Sequence, residues 1–334
     1  MKRVLVIDTL NCLFTLYHRQ EAGKLWAFYE DLRRIATQFK VDRFLFTTEG
    51  GSKYREELLP TYKSARKARK EQETPEEKAR LKRFLEEDVE EILNFASMLD
   101  IQVLRWSGCE ADDVIAYIAN HIDLEKYQLM ILSSDSDLNQ LIRPGVVQAA
   151  YGKEMTMPMM NGNKIPAKVW LNYDTLCDQL KDDSSPYALK PADLAYVKAL
   201  SGDTSDSIPS PEGVGTGTAL KLMQKYGSLS ALKEAIDRGD DIHVPRMTQK
   251  AKESLKRDFD IVLRNVKLVD LNHPAGVEAV LFGDKGIAYM EGALEALEYK
   301  HKPARKELEE ELFMCGKVNI VEKLDTWLAP FTRE

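Results

Sequence analysis

The chain has no CxxC pair, no histidine cluster and no apolar run long enough to span a bilayer. Each absence removes a class of protein. Four widely spaced cysteines (Cys12, Cys109, Cys177, Cys315) argue against a disulfide framework and for a reducing compartment. Five scattered histidines offer no zinc-ligand spacing. A membrane span needs about 20 apolar residues. The opening MKRVLVIDTLNCLF begins like a secretory leader, but Asp8 and Asn11 interrupt it and no small-residue cleavage site comes after, so it reads as a buried first strand. No internal repeat or low-complexity tract stands out.

What is present is a set of acids at chosen places. The 334 residues, 44% hydrophobic and 30% charged, suffice for one large or two moderate domains. VLVID ends in Asp8, RFLFTTE in Glu49, and LMILSSDSD in Asp135 and Asp137. Glu110, Asp112 and Asp113 come after the apolar run IQVLRW, and Asp203 and Asp206 lie in GDTSD. In an open α/β sheet the carboxyl ends of the strands converge on one crevice. So many carboxylates cannot ionise together there without cations, and oxygen ligands suit two or more Mg²⁺ or Mn²⁺ ions.

The net charge of −7 hides a local excess of the opposite sign. From position 53 to 83 there are 11 Lys/Arg against 6 Asp/Glu, densest in YKSARKARK. An acidic crevice beside a basic segment suits a polyanion whose backbone is held by cations while metal handles one phosphate.

Apolar runs predict five strands: VLVID, RFLFTT, IQVLRW, LMILSS and VVQAAY. Helices are expected over about 9–19, 25–39, 75–99 and 110–121, alternating with strands, which implies an α/β fold with a mostly parallel central sheet flanked by helices. Residues 50–75 read as an exposed, partly helical excursion. Beyond 185 the chain turns helical, with helices at 189–200 and 219–226 around the Gly/Pro-rich turn SIPSPEGVGTGT. Residues 270–290 read as loop-rich, and the rest as charged helix.

Each motif has a plainer reading. EADD can simply cap a helix, since acids favour its positive end. DSD can be a solvated turn, whereas an extended segment points both carboxylates the same way. GDTSD can be a helix end with an Asx turn. Gly213 and Gly215 form a tight turn whose N–H groups can hold a phosphate. Between two helices this reads as a helix–hairpin–helix that grips a DNA backbone without reading sequence. Tyr62 among cations permits base stacking.

In order, VIDTLN, YREELLPTYKSAR, GCEADDVIAYIA, LSSDSDLNQLI and LSGDTSDSIPSPEGVGTGTALKLMQKYGSL resemble the 5′-nuclease (flap endonuclease) family over about residues 1–235. The resemblance implies a PIN-like nuclease core over 1–185 with a helical arch at about 53–95. A helix–hairpin–helix duplex-binding region would span 186–270, and a helical region of unclear role 271–334. It implies a structure-specific 5′→3′ exonuclease and flap endonuclease using two Mg²⁺ or Mn²⁺ ions. Asp8, Glu49, Glu110 and Asp112 would surround the first, with Asp113 supporting or adding a ligand. Asp135, Asp137, Asp203 and Asp206 would surround the second. Lys63 and Arg66 would act at the scissile phosphate, while Tyr62, Lys67, Arg69 and Lys70 contact DNA in the arch. Gly213, Gly215, Gly217, Thr218 and Lys221 would hold the downstream duplex, with K⁺ at the 208–217 hairpin. The implied substrates are flapped, forked, gapped or nicked DNA, or an RNA primer on DNA. A single-strand-binding or other replication protein is the implied partner. The setting would be the cytoplasm of a bacterium or phage-infected host, and the enzyme a stand-alone, phage-type monomer with no membrane association. Two positions depart from the family: Glu49 where Asp is usual, with Thr48 as the competing alignment, and Gly217 where Lys is usual. They support the alternative of a non-catalytic DNA-structure-binding protein on a degraded scaffold. A HAD-like phosphatase using Asp8 as nucleophile wants Asp at position 10, where Leu10 stands.

Overall fold

The computed structural model describes residues 1–19, 23–151, 157–158, 164–165, 170–272 and 276–333. At its centre, β1 (Lys2–Asp8), β2 (Arg43–Thr47), β3 (Gln102–Leu104), β4 (Tyr127–Leu132) and β5 (Val146–Ala149) form one sheet in the order β3-β2-β1-β4-β5. All four pairings are parallel. Parallel strands covered on both faces read as continuous apolar runs, which is why VLVID and LMIL carried the signal. The chain switches direction across the sheet at β1, so the crevice opens beyond the carboxyl ends of β1 and β4.

Helices α1 (Thr9–Arg19) and α2 (Lys24–Phe39) cover one face. The excursion after β2 holds α3 (Lys53–Leu58), α4 (Ser64–Glu71) and α5 (Pro75–Arg83). Thr74 caps α5 in a reciprocal capping box with Glu77. The single helix expected over 75–99 is interrupted by a π stretch at Phe84–Asp88 before α6 (Val89–Met98). The other face is covered by α7 (Ala111–His121). A second core is built from α8 (Tyr173–Leu180), α9 (Leu194–Ser201), α10 (Thr216–Tyr226), α11 (Leu229–Asp237), α12 (Gln249–Arg257) and α13 (Phe259–Val269). The hairpin linking α9 to α10 is the predicted one.

The loop expected at 270–290 is a helix instead: α14 runs Val277–Ala296, with a break at Gly283. Glycines at 283, 286 and 292 mask its apolar face, and tertiary packing overrides their low propensity. Phe282 meets Tyr117 with ring centroids 5.2 Å apart. A Cβ at Gly286 would lie 2.6 Å from the Trp106 ring, so only glycine allows this approach. The last segments, α15 (Arg305–Met314), α16 (Val318–Val321) and α17 (Leu324–Leu328), pack back on the α2–α6 side through Leu308, Leu312, Trp327 and Leu328. His301 Nε2 accepts from Phe44 N at 3.0 Å, closing β2 where β3 has not yet begun. The C-terminal region therefore completes the core around the sheet. Among the described residues no helix is long and apolar enough to cross a membrane.

Candidate active site

A cavity of about 490 Å³ opens at the carboxyl ends of β1 and β4. Seven of the nine predicted acids line it: Asp8, Glu49, Glu110, Asp112, Asp135, Asp137 and Asp206. Their elements explain the convergence. Asp8 ends β1. Glu49 is brought beside α7 by a backbone crossing in which Gly50 N donates to Cys109 O at 2.8 Å and Gly108 N to Gly50 O at 2.7 Å. A Cβ on Gly50 would fall 1.8 Å from Trp106 O, so glycine is obligatory there. Glu49, not Thr48, faces the cavity. Asp135 caps a 3₁₀ turn (Ser136–Leu141) that carries Asp137, so the extended geometry expected for DSD holds only at Asp135.

The carboxylates stand in sharply different environments. Ser133 Oγ donates to Asp8 Oδ2 at 2.8 Å and Asn11 N to Oδ1 at 3.3 Å. Burial nevertheless pushes Asp8 up to about 7, with the Asp135 and Glu49 charges adding to the rise. Asp112 is also raised well above the ordinary carboxylate range, by burial first and then by Asp135, Asp8, Glu110 and Glu49. No hydrogen bond or ion pair reaches its carboxylate among the described residues. Glu49 is open to solvent at the mouth but crowded by protein, and this desolvation, with the Glu110 charge next, raises it. Asp135 is raised by burial and by Asp137. Asp206 is raised by burial against the pull of Lys63 and Arg66.

Cations are interleaved with these acids. Lys63 pairs with Glu110, and Arg66 Nη2 meets Asp206 Oδ1 at 2.6 Å. Lys67 and Lys70 also line the cavity, whereas Arg69 lies exposed on α4 outside its wall. Lys198 bridges Asp137 and Asp203. Burial favours the neutral acid at Asp203, yet Lys198 and the Ser205 hydrogen bonds hold it at about 2. Asp203 is thus placed behind Lys198 and not on the cavity wall.

Residues 3–169 match the N-terminal resolvase-like domain of 5′-3′ exonucleases, and residues 189–282 match their C-terminal SAM fold. The chain belongs to the 5′-3′ exonuclease family. Among its relatives are DNA polymerase I of Synechocystis, 33% identical over 56% of this chain and 18% of the polymerase, and the thermostable DNA polymerase I of Thermus aquaticus, 32% identical over 71% and 25%. The chain spans about a quarter or less of those polymerases. The fold is shared with a bacteriophage T5 flap endonuclease solved as a pseudo-enzyme-product complex with DNA and metal ions (TM-score 0.71, 20% identity, 89% of this chain and 100% of that one). It is also shared with the catalytic core of Rad2 in complex with DNA substrate (TM-score 0.53, 15% identity, 100% and 92%).

Two family-based expectations need correction. Asp113 is buried and both its oxygens take the Arg55 guanidinium at 2.7 Å, while Oδ2 also accepts from Glu110 N. It supports α7 instead of facing the cavity as a metal ligand. Tyr62 is only 3% exposed, and its hydroxyl reaches Glu110 at 3.0 Å and Asp206 at 3.3 Å, so its ring is closed to base stacking. The hairpin residues lie apart from the cavity: Gly215 precedes α10, whose first turn holds Gly217 and Thr218, and Gly213 packs on Ala251. Lys221 borders a separate groove with Lys225 and His243. Three working residues escaped the sequence pattern. Arg55 lies in the YREELL stretch, Lys198 interrupts an apolar helix face five residues before Asp203, and Ser133 comes directly after β4. The Lys198 spacing was the readable signal.

Proposed function

We propose that this chain is a divalent-metal-dependent, structure-selective nuclease that hydrolyses DNA phosphodiesters near 5′ ends and at 5′ flaps. The carrying observation is that seven acids from separate elements meet in one cavity whose wall also holds Lys63 and Arg66. The residues fit hard cations. All the donors are carboxylate oxygens, and Asp112 has no protein partner among the described residues. Asp8, Glu49, Glu110 and Asp112 would hold one ion, and Asp135, Asp137 and Asp206 the other, with Asp203 acting through Lys198. When bound, such a pair supplies an activated water and stabilises charge on the leaving oxygen.

The rest falls to the chain itself. Lys63, Arg66, Lys67 and Lys70 offer donors along one wall of the cavity, where they would orient the phosphate and offset its developing charge. Leu10, Phe14 and Leu85 form an apolar stretch of that cavity and limit water. The first turn of α10 has no side-chain cap, so its N–H groups would grip a duplex phosphate. The Ile208, Pro209 and Pro211 carbonyls already accept from Asp203, Asn265 and Val214. Each keeps a second lone pair, so the hairpin would grip a duplex through N–H groups and Lys221 with its carbonyls still able to take a K⁺ ion. Glu49 reaches the cavity, which removes one of the two grounds for a degraded, non-catalytic scaffold.

The test is a 5′-labelled flap duplex incubated with Mg²⁺ or with EDTA, using wild-type and Asp135→Asn protein, with an RNA-primed duplex in parallel. Cleavage is expected with Mg²⁺ alone and to be lost in the variant while substrate binding survives. Product in EDTA, or full activity in Asp135→Asn, would defeat the two-metal reading.

A further inference from the structure

Two arch cations occupy two of the acids assigned to the metal ions, one from each group. Lys63 Nζ pairs with Glu110 Oε1, and Arg66 Nη2 meets Asp206 Oδ1 at 2.6 Å. Glu110 Oε2 is fixed separately, by Tyr62 at 3.0 Å and Arg55 at 3.4 Å. Asp206 Oδ1 is buried but accepts no hydrogen bond, so Arg66 neutralises it without the alignment of a strong charge-assisted bond.

The helix that carries Arg66 and starts directly after Lys63 is lightly held. α4 buries no side chain, and the Arg66 side chain is 49% exposed. Its remaining ties to the GDTSD loop are Lys63 N to Asp206 O at 2.8 Å, Ala65 N and Ser64 Oγ to Ser207 Oγ, and Arg66 Nε to Ser205 O at 3.3 Å. Lys198 differs, because it grows from the buried helix α9 and bridges two acids at once.

An ammonium or guanidinium group at contact with a carboxylate oxygen repels a divalent ion brought to the same oxygen, so the two compete for it. An ion arriving at Glu110 Oε1 or Asp206 Oδ1 works against the arch cation. A phosphate that draws the cation away removes that competitor. We propose that Lys63 and Arg66 are stand-in counter-ions, so that metal loading and the arch's grip on a phosphate strengthen each other through Glu110 and Asp206. The proposal rests on the nuclease reading above. Reciprocity is required by linkage, and couplings of this kind are typically about 5- to 150-fold.

The test is Mn²⁺ binding to DNA-free protein by calorimetry, for wild type, Lys63→Met, Arg66→Met and Lys70→Met. Lys63→Met and Arg66→Met should bind Mn²⁺ at least about fivefold more tightly than wild type, although both should cleave more slowly. Lys70→Met removes the same charge from the cavity wall and should change affinity less. A 5′-phosphorylated single-stranded oligonucleotide should tighten Mn²⁺ binding to wild type and not to the Lys63→Met/Arg66→Met double variant. Arg66 is half exposed, so its variant reports even if Lys63→Met fails to fold. Unchanged or weaker affinity in both variants overturns the coupling. So does an equal gain in Lys70→Met, which would mean general charge and not displacement. Wild-type protein that binds no Mn²⁺ overturns the nuclease reading as well.

Discussion

Asp112 and Asp113 are adjacent acids with opposite fates, and substituting each separates a structural carboxylate from a ligand. The Asp113–Arg55 pair is shut away from water, with side chains 1% and 8% exposed. Both Asp113 oxygens are used at 2.7 Å, and Oδ2 is shared with the Glu110 amide. Asp113→Asn keeps the shape but has one acceptor where two are needed, so its NH₂ must face the guanidinium in either orientation, and the Glu110 amide as well in one of them, donor against donor. Breaking a buried pair at one end costs about 3–5 kcal/mol. At ~2.1 cal/mol/K per residue, a chain of 334 residues would lose about 4–7 °C of melting temperature. Asp112→Asn removes a carboxylate that has no partner among the described residues and is held in an unfavourable environment, so stability should hold or rise. The assay is thermal unfolding in EDTA by circular dichroism, paired with the Mg²⁺ dependence of flap cleavage at about 20 °C, where a loss of about 4–7 °C from an ordinary melting temperature of about 45–65 °C leaves the variant folded. Asp113→Asn should melt early yet cleave at ordinary Mg²⁺, and Asp112→Asn should melt normally and fail to cleave. Asp113→Asn with wild-type stability and a greatly raised Mg²⁺ requirement would refute the reasoning and restore Asp113 as a ligand.

The same geometry predicts two further outcomes. Asp8 is raised in the fold from 3.8 to about 7, so its penalty is absent below the unfolded value, grows as pH rises, and is complete above about 7. Its ceiling is about 4 kcal/mol at ~1.4 kcal/mol per unit. Metal-free protein should therefore lose melting temperature from about pH 4 to about pH 7, and Asp8→Asn should recover it at the upper end while abolishing cleavage. A flat profile shared by both proteins would count against buried, uncompensated charge. Separately, a Cβ at Gly217 meets nothing within 4 Å on the exposed first turn of α10. Gly217→Lys should tighten duplex binding and steepen its salt dependence by about one unit; an unchanged slope would place the duplex elsewhere.

The sheet and most of its acids were legible because a strand buried on both faces leaves a continuous apolar run, and the residues just past its carboxyl end stand at the crevice. Helix α14 was not legible, because three internal glycines lower its propensity and the one with a packing reason, Gly286, finds it in Trp106, a partner 180 residues earlier in the chain. Nor could sequence separate Asp112 from Asp113. Which acid turns inward depends on Arg55, which lies 58 residues from Asp113 and is brought in by the start of the arch. Tyr62 misled for a related reason: its neighbours are exposed cations, yet Lys63 takes a left-handed backbone (φ 55) as the chain enters α4, and the preceding ring turns into the core. Local composition described the surface of the arch and missed its anchor.

That anchor joins two functions in one loop. GDTSD supplies Asp206 to the cavity and backbone partners to Lys63 and Arg66 at the arch base, and Ser207 directly after it gives Ala65 a hydroxyl partner. The same loop leads through Ile208 and Pro209 into the hairpin before α10. On the nuclease reading proposed above, a duplex that shifts the hairpin would therefore move a ligand acid and the root of the arch together. The distance from duplex to cleavage point would then be set by backbone bonds within a single short loop, with no need for a base-reading contact to measure it.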